Sequence, residues 1–203
     1  SISQGNSVAT IVEAAVDGDV VARFEVSDQI KPTAASIVAE LRELGVRPMI
    51  VSGDAIGPVH DVAKQVGIDV SETRSGVLPA DKLRIVGELQ ASGASVAMVG
   101  DGVNDAAALV AADLGIAMGT GTDAAMEAGD LTIVSGDLAV VPKALALSRR
   151  TLRIIQANLF WAFAYNVAAI PLAVAGLMNP VLAGLAMALS SVFVVANSLR
   201  LRR

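Results

Sequence analysis

Short apolar runs alternate with amphipathic segments over roughly the first 140 residues of the chain. The runs predicted as strands are 48–51, 96–99, Leu114–Met118 and 131–134. Helical patterns separate them, and one of these carries Leu83, Val86 and Leu89 at a spacing that places them on one helix face. Strands that alternate with helices form a parallel sheet covered on both faces, so the pattern predicts an α/β fold. A further apolar–polar alternation on both sides of the turn dipeptide Asp17-Gly18 predicts a β-hairpin over 7–26.

The hydropathy of the chain changes after Arg153. No charged residue occurs between Arg153 and Arg200, and most of the side chains between them are apolar. A helix needs about 20 apolar residues to cross a bilayer, so this segment has room for two helices joined by a turn at Asn179-Pro180. The segments 158–178 and 180–199 are therefore predicted to form a transmembrane helical hairpin.

Charge is distributed unevenly along the chain. All 20 acidic residues precede residue 138, whereas basic residues flank both outer ends of the predicted hairpin. An acidic α/β domain makes a poor partner for nucleic acid, so nucleic-acid binding is excluded as the function. The positive-inside rule predicts that the α/β domain and both hairpin ends lie in the cytoplasm. We expect the chain to belong to an integral protein of the plasma membrane. The chain has no cysteine, which excludes Cys-ligated metal sites within it.

Two predicted strands end in small polar clusters. Gly100-Asp101-Gly102 follows one apolar run, and Ser52-Gly53-Asp54 follows another. In open α/β sheets, ligands bind beyond the carboxyl ends of the strands, and glycine lets backbone N–H groups approach an anion closely. Mg²⁺ prefers one or two carboxylates together with phosphate oxygens and water. The clusters therefore predict a phosphate-and-magnesium site in which Asp101 is a metal ligand.

Three further side chains suit such a site. Asn104 and Asp105 come at the start of the next helix, where a phosphate is favoured, and Lys82 supplies a positive charge for a developing phosphoryl charge. Two of them also have a plainer interpretation when taken alone, in which Asp105 is a helix N-cap and Lys82 is a solvated helix lysine. The nearby run 118–121 resembles a nucleotide-binding loop but is predicted to be a tight turn.

Taken in order, three motifs resemble the phosphorylation domain of P-type ATPases, which belongs to the haloacid-dehalogenase-like superfamily. They are Ser52-Gly53-Asp54, Pro79-x-Asp81-Lys82 and Gly100-Asp-Gly-Val-Asn-Asp-Ala-Ala-Ala-Leu109. The resemblance implies a Rossmann-like parallel sheet. It implies a magnesium site formed by Asp101 and Asp105 and supported by Gly102 and Asn104. It also implies a phosphoryl-contacting set of Ser52, Gly53, Asp54 and Lys82.

The same resemblance implies domain boundaries. Residues 1–27 correspond to the end of a nucleotide-binding domain, 28–140 to the phosphorylation domain, 141–157 to a linking helix, and 158–203 to the hairpin with a basic tail. Asp28 resembles the hinge between the first two. The aspartate that these pumps phosphorylate, in Asp-Lys-Thr-Gly-Thr, does not occur in the chain. We therefore expect a sheet without its first strand, and a chain that by itself cannot form the covalent intermediate.

The polar residues of the predicted hairpin resemble the last two helices of copper(I)-exporting heavy-metal P-type ATPases. The pattern is Asn158-x6-Tyr165-Asn166-x4-Pro171, then Met187-x2-Ser190-Ser191-x5-Asn197. It implies that Tyr165, Asn166, Met187 and Ser191 belong to a transmembrane copper site, and a Met thioether is a soft ligand suited to Cu(I). The Cys-Pro-Cys that completes this site in the family is absent from the chain. Judged without the resemblance, interhelical hydrogen bonding accounts for these residues equally well.

These observations favour one function and leave two alternatives. The first is part of an ATP-driven pump that exports Cu(I) or Ag(I) through an aspartyl-phosphate, with Mg²⁺ as cofactor and ATP bound by parts outside this chain. Its partners would be the metal ion, a copper chaperone and membrane lipid. The second is a membrane-anchored binding or regulatory module without turnover. The third, a soluble haloacid-dehalogenase-like phosphatase, is disfavoured by the charge-free segment.

Overall fold

The computed structural model describes residues 10–16, 19–26, 29–177 and 179–202, and it divides the chain into two compact units, Ser1–Pro142 and Lys143–Arg203. The β-hairpin predicted over 7–26 is formed by two antiparallel strands, β1 (Thr10–Val16) and β2 (Asp19–Val26). Its predicted turn at Asp17-Gly18 and the predicted hinge at Asp28 lie outside the described residues. The α/β fold itself is confirmed.

Strands and helices alternate through the rest of the first unit. In chain order they are α1 (Ala34–Glu43), β3 (Ile50–Val51), α2 (Ile56–Val66), β4 (Thr73–Arg74), α3 (Pro79–Ala91), β5 (Ala97–Gly100), α4 (Ala106–Ala111), β6 (Leu114–Met118), α5 (Asp123–Ala128) and β7 (Leu131–Ile133). Single 3₁₀ turns at Val70–Glu72 and Val103–Asp105 precede β4 and α4. Gly67 ends α2 in the left-handed conformation, with φ of 79°, which glycine adopts without a steric cost.

The parallel strands of this unit form two separate pieces of sheet. Strand β3 pairs with β4, and β5, β6 and β7 pair in that order. Among the described strands, none pairs with both β3 and β5. Strand β4 was not predicted, because Thr73-Arg74 is too short and too polar to produce an apolar run. The carboxyl ends of β3 and β5 carry the two small polar clusters.

Each piece of sheet has its own apolar packing. Val38, Ala63, Val66 and Ile68 form a buried cluster, with Ile50 of β3 packed against it. The second piece is buried around Leu109 of α4, whose side chain is inaccessible to solvent, and around β6. The other buried apolar residues of α4, β6, α5 and β7 are Ala108, Ile116, Ala117, Ala125 and Ile133.

The predicted buried face of α3 is partly wrong. Val86 is buried as expected, but Leu83 is 42% exposed and Ile85 is buried in its place. The buried stripe is therefore rotated away from Leu83, toward Ile85. Periodicity alone left this open, because apolar residues occupy two adjacent stripes of the helix.

An acidic side chain fixes the start of β5. The Val96 N–H donates to the Asp113 carboxylate at 2.8 Å. This backbone hydrogen bond, followed by one from the Gln90 side chain, lowers the pKa of Asp113 below its usual value. The two hydrogen bonds therefore favour the ionised form of Asp113. At pH values above the unfolded-state pKa of about 3.9, this ionised carboxylate stabilises the folded state.

We expect Asp113→Asn to lower the thermal unfolding midpoint of the α/β unit at pH 7. The difference from the parent should shrink as the pH falls below about 4 through the folded-state pKa, because the parent carboxylate is then protonated too. Circular dichroism of both proteins in detergent at pH 7 and pH 3 measures this. Asp61→Asn, on α2, is the matched control and should lower the midpoint at pH 7 less than Asp113→Asn does. A constant difference between Asp113→Asn and the parent at both pH values would contradict the assignment.

The second unit contains most of a long apolar helix and a second helix that follows it. Helix α6 (Val140–Val174) is continuous across the predicted linking segment and the first predicted span, and it includes Pro171. By length and composition it can cross a membrane. Helix α7 (Pro180–Leu199) matches the second predicted span, although its apolar stretch Ala183–Leu199 is shorter than a full span within the described residues. The second crossing therefore stays a prediction.

Aromatic and amide contacts join these two helices. The Trp161 ring of α6 meets the Phe193 ring of α7 edge to face, with centroids 6.0 Å apart. Nearer the basic end, the Asn197 amide donates to the Asn158 side-chain oxygen at 2.7 Å. Asn158 in turn donates to the Ser198 hydroxyl at 3.1 Å. Interhelical hydrogen bonds of this kind stabilise helix pairs in an apolar medium.

Candidate functional site

The loop after β5 is built by close backbone approaches around Asp101. The Asp101 carbonyl accepts a hydrogen bond from the Thr122 N–H at 2.9 Å. A Cβ atom at Gly121 would lie only 2.3 Å from that same carbonyl oxygen, so only glycine fits there. The run 118–121 forms the tight turn that was predicted, closed by a 2.8 Å bond from the Gly121 N–H to the Met118 carbonyl. The turn after β6 thus holds the backbone of Asp101, while the Asp101 side chain is exposed.

A buried ion pair lies beside this loop. Lys82 Nζ is 2.6 Å from Asp105 Oδ1, and the two side chains are only 14% and 10% exposed. A buried carboxylate needs a counter-charge, because an unpaired buried charge is strongly destabilising. Gly100 makes room for it, since a Cβ there would lie 2.6 Å from the Asp105 Cβ. The pair joins α3 to the turn that follows β5.

This geometry decides between the interpretations left open for Lys82 and Asp105. Lys82 is not a solvated helix lysine, because it is held against a carboxylate in a largely buried position. Asp105 makes no side-chain capping bond to α4, so an N-cap role does not account for it. Pro79 at the start of α3 sets the first turn of the helix, which carries Lys82 toward Asp105.

The loop after β3 is held by hydrogen bonds of its own. The Ser52 hydroxyl donates to the Asp54 carboxylate at 2.7 Å, and the Asp54 N–H donates back to the hydroxyl at 3.2 Å. The Val77 N–H donates to the Ser52 carbonyl at 3.0 Å, and the Gly76 N–H donates to the Asp54 carbonyl at 2.8 Å. This loop is thereby fixed to the segment that leads into α3 and Lys82.

The structure groups the predicted residues into two sets. Lys82, Asp105 and Gly102 adjoin one another, with a long 3.5 Å contact between the Gly102 N–H and Asp105 Oδ2. Ser52 and Asp54 form the other set. Within the described residues, no hydrogen bond or ion pair links the two sets, and Asn104 is exposed. A phosphoryl group that contacted both sets would be supplied by a molecule or a segment other than this chain.

The donor set fits magnesium rather than a metal that needs several protein ligands. In the described part of the chain, no three His, Asp or Glu side chains gather in a metal-binding group. Mg²⁺ commonly uses only one or two carboxylates and completes its shell with phosphate oxygens and water. The exposed carboxylate of Asp101 meets that need, whereas one oxygen of Asp105 is already held by Lys82.

Within the part of the chain that the structure describes, two of the predicted copper-site residues make local hydrogen bonds. The Asn166 amide donates to the Ala162 carbonyl at 2.9 Å, and the Ser191 hydroxyl donates to the Met187 carbonyl at 3.1 Å. Both bonds stay within one helix turn. The side chains of Tyr165 and Met187 are 43% and 73% exposed. The interhelical hydrogen bonds at these helices are made instead by Asn158, Asn197 and Ser198.

The pairing of Asn158 with Asn197 was missed by sequence reasoning, although a signal existed. Asn158 follows Arg153 by five residues, and Asn197 precedes Arg200 by three. In an antiparallel hairpin with basic residues at both ends, these positions fall at similar depth. Comparing distances from the two charged ends would have predicted their contact.

Comparisons with known proteins agree with this geometry. The family model for the haloacid dehalogenase-like hydrolases matches residues 3–113, and a second model with the same description matches residues 83–145. The chain belongs to the haloacid dehalogenase-like hydrolases. Within that family its homologues are P-type ATPases, which confirms the resemblance stated above.

Two curated relatives and one solved structure illustrate the similarity. The chain is 53% identical over 203 residues to the probable copper-exporting P-type ATPase V of Mycobacterium tuberculosis, covering 100% of the chain and 26% of that protein. It is 50% identical over 194 residues to the copper-exporting P-type ATPase of Staphylococcus haemolyticus, covering 96% and 24%. A zinc-transporting PIB-type ATPase in the E2.Pi state superposes with a TM-score of 0.84 at 35% identity, covering 96% and 32%. The chain thus spans about a quarter of the length of these curated relatives.

Proposed function

We infer that this chain is part of an ATP-driven pump that exports copper(I), or silver(I), and that forms an aspartyl-phosphate during turnover. The observation that carries the proposal is the buried Lys82–Asp105 pair beside the exposed Asp101 carboxylate, at the carboxyl end of a parallel strand. A cation and an exposed carboxylate at such a place suit a phosphoryl group and its metal. Homology to P-type ATPases supports the assignment.

Each residue of this site has a proposed role. Lys82 offers positive charge to the phosphoryl group, and Asp105 keeps the Lys82 ammonium in place when no phosphate is bound. Asp101 holds Mg²⁺, with Asp105 and Asn104 in support, and the bound metal neutralises phosphate charge. The Gly53 N–H is proposed to donate to a phosphoryl oxygen. The Ser52 hydroxyl donates its single proton to Asp54 at 2.7 Å in the structure, and would turn it to a phosphoryl oxygen when phosphate binds. The Asp54 N–H, which donates to the same hydroxyl at 3.2 Å, would then keep Ser52 in place.

The nucleophilic aspartate is proposed to come from another part of the full pump. Strands β3 and β5 end in the two phosphate-handling loops but belong to separate pieces of sheet. A parallel strand between them would unite the sheet and deliver an aspartate between Ser52 and Asp101. This fits the proposed boundaries, with 1–27 from the nucleotide domain that binds ATP, 28–140 as the phosphorylation domain, 141–157 linking and 158–203 in the plasma membrane.

Copper is favoured as the transported metal. The copper-exporting relatives are about 50% identical to the chain, and the zinc-transporting structure is 35% identical. Met187 offers a thioether, which suits Cu(I) and Ag(I) better than Zn²⁺. Tyr165, Asn166 and Ser191 are the further proposed members of the site. Zinc remains the second candidate, on the strength of the structural similarity.

A chimeric pump tests the choice of metal. The chain replaces the corresponding segment of the Staphylococcus haemolyticus relative, and ATP hydrolysis is measured with Cu(I), Ag(I) or Zn²⁺. We expect stimulation by Cu(I) and Ag(I), and a loss of about tenfold or more in Met187→Ala because the soft ligand is removed. Leu189→Ala, which truncates another exposed apolar side chain of α7, is the control and should retain stimulation. Equal stimulation of both variants would remove Met187 from the site, and stimulation by Zn²⁺ alone would favour the second candidate.

The alternative of a non-catalytic, membrane-anchored module is tested by the gene. The nucleotide sequence upstream of Ser1 is translated in the same frame. An in-frame Asp-Lys-Thr-Gly-Thr and Cys-Pro-Cys would support the pump, and a start codon directly before Ser1 would support the module. Cytoplasmic ends for both helices and a copper chaperone as partner are further parts of the pump proposal.

A further inference from the structure

Three arginine side chains converge on an open pocket at the basic end of the two apolar helices. The pocket has a volume of about 390 Å³ and is lined by Arg150, Arg153, Ile154, Ala157, Asn197 and Arg200. All of these residues belong to the Lys143–Arg203 unit. Four come from α6, one comes from α7, and Arg200 opens the 3₁₀ turn after α7.

Hydrogen bonds fix the walls of this pocket to each other. The Arg150 guanidinium donates to the Arg200 carbonyl, and Arg200 makes a long 3.5 Å contact to the Asn197 side-chain oxygen. Asn197 is itself bonded to Asn158 of α6. Among the described residues, Arg153 donates through its Nε, in a long 3.5 Å contact to a carbonyl one turn earlier. Since a guanidinium has five N–H donors, most donors in the pocket remain available to a ligand.

No acidic side chain balances the three arginines. In the described part of the chain, all ion pairs are formed by residues up to Asp105. The last acidic residue of the sequence is Asp137, before α6 begins. Three like charges on one pocket repel each other, so an anion that enters it is stabilised by all three. The planar fork of arginine matches the oxygens of a phosphate in particular.

The position of the pocket indicates where such a phosphate would come from. Arg153 is the last charged residue before the charge-free stretch, and Arg200 is the first one after it. Ile154 and Ala157 continue the pocket along α6 with apolar surface. A soluble phosphate would use only the arginines. A lipid would place its phosphate on the arginines and its acyl chain along the apolar surface of α6.

We propose that this pocket binds the phosphate of an anionic phospholipid, and so adds a specific lipid site to the pump segment. The proposal rests on the membrane placement given under the proposed function, but not on copper or on phosphoryl transfer. Three guanidinium groups from two helices hold the headgroup. A bound lipid would therefore stabilise the contact between α6 and α7 at the level of Asn158 and Asn197.

The single tryptophan of the chain allows a direct test. Trp161 lies eight residues after Arg153 on α6, or about 12 Å deeper along the helix. The complete chain is reconstituted in vesicles of phosphatidylcholine containing one quarter phosphatidylglycerol. One of the two lipids at a time carries bromine in the middle of its acyl chains, which quenches a nearby tryptophan. The two quenching curves give the binding constant of phosphatidylglycerol relative to phosphatidylcholine.

We expect a relative binding constant of at least about fivefold for the parent, because the planar forks of three arginines converge on one phosphate. Arg153→Lys keeps the charge but loses one planar fork, so the constant should fall by about twofold or more. Lys143→Gln removes a charge from α6 outside the pocket and should leave the preference in place. Far-ultraviolet circular dichroism checks that each variant retains its helices.

Four other outcomes would overturn the proposal. Equal quenching by both lipids in the parent would show that the pocket has no preference. An unchanged preference in Arg153→Lys, with a loss in Lys143→Gln, would indicate diffuse surface charge. Displacement of the lipid by 10 mM inorganic phosphate, on the order of cellular concentrations, would identify a soluble phosphate as the ligand. Absence of quenching by either lipid would refute the membrane placement itself, whereas the other three results leave the proposed pump intact.

Discussion

Asp101→Asn is expected to abolish ATP-dependent phosphoenzyme formation in the chimeric pump. The substitution keeps the size of the side chain but removes the negative charge proposed to hold Mg²⁺. Loss of one electrostatic element of a transfer site commonly costs about 10²–10³ in rate, and phosphoryl transfer depends heavily on such elements. Acid-stable incorporation of labelled phosphate from ATP measures the result.

The Asp101 substitution is a cleaner test than a substitution of Lys82. The Asp101 side chain is exposed, so its replacement should not disturb folding. Removal of Lys82 would leave Asp105 buried without a counter-charge, at a cost of about 3–5 kcal/mol, and lost activity could then reflect unfolding. Asp61→Asn on α2 serves as the matched control and should form phosphoenzyme normally. Normal labelling of the Asp101 variant would exclude it from the magnesium site.

Gly121→Ala should destabilise the α/β unit by about 3 kcal/mol, because its new methyl group meets backbone rather than a movable side chain. The added carbon would lie 2.3 Å from the Asp101 carbonyl oxygen and 2.8 Å from the Asp101 Cα. The loop after β5 or the turn after β6 must therefore shift. For a unit of this size, the thermal midpoint should fall by roughly 10 °C.

Gly87→Ala is the control for this prediction. Gly87 lies inside α3, and a Cβ there would have nothing within 4 Å. Alanine at an unhindered helix position is more stable than glycine by roughly 0.5–1 kcal/mol, so this variant should unfold at a higher temperature than the parent. Thermal scans in detergent, followed by circular dichroism, compare all three proteins. Equal midpoints for Gly121→Ala and the parent would show that the turn does not constrain Asp101.

The sequence predicts most elements of this fold because their signals are local. The apolar run of β6 is an example in which the local sequence alone decides the conformation. Strand β4 is different, since Thr73-Arg74 becomes a strand only by pairing with β3. The buried face of α3 likewise depends on tertiary packing, since Ile85 rather than Leu83 is buried. Information of this kind lies in tertiary contacts, which a pattern of apolar positions does not contain.

The candidate site shows the same division. The motifs around Asp101 and Lys82 can be recognised from residue order, because they recur among members of the family. The 2.6 Å pairing of Lys82 with Asp105 is not, since the two residues are 23 positions apart and belong to different elements. The Asn158–Asn197 contact also joins distant positions. In each case, a contact between side chains of two different elements could be identified only from the fold, which places those elements side by side.

The Lys82–Asp105 pair also restricts how this segment can evolve. A mutation at either position alone leaves a largely buried charge without its partner. A protein with only one of the two mutations is therefore selected against before a second mutation can compensate. Neither residue of the pair can therefore be replaced by a single neutral mutation. Among descendants of this gene, positions 82 and 105 should either both be retained or change together.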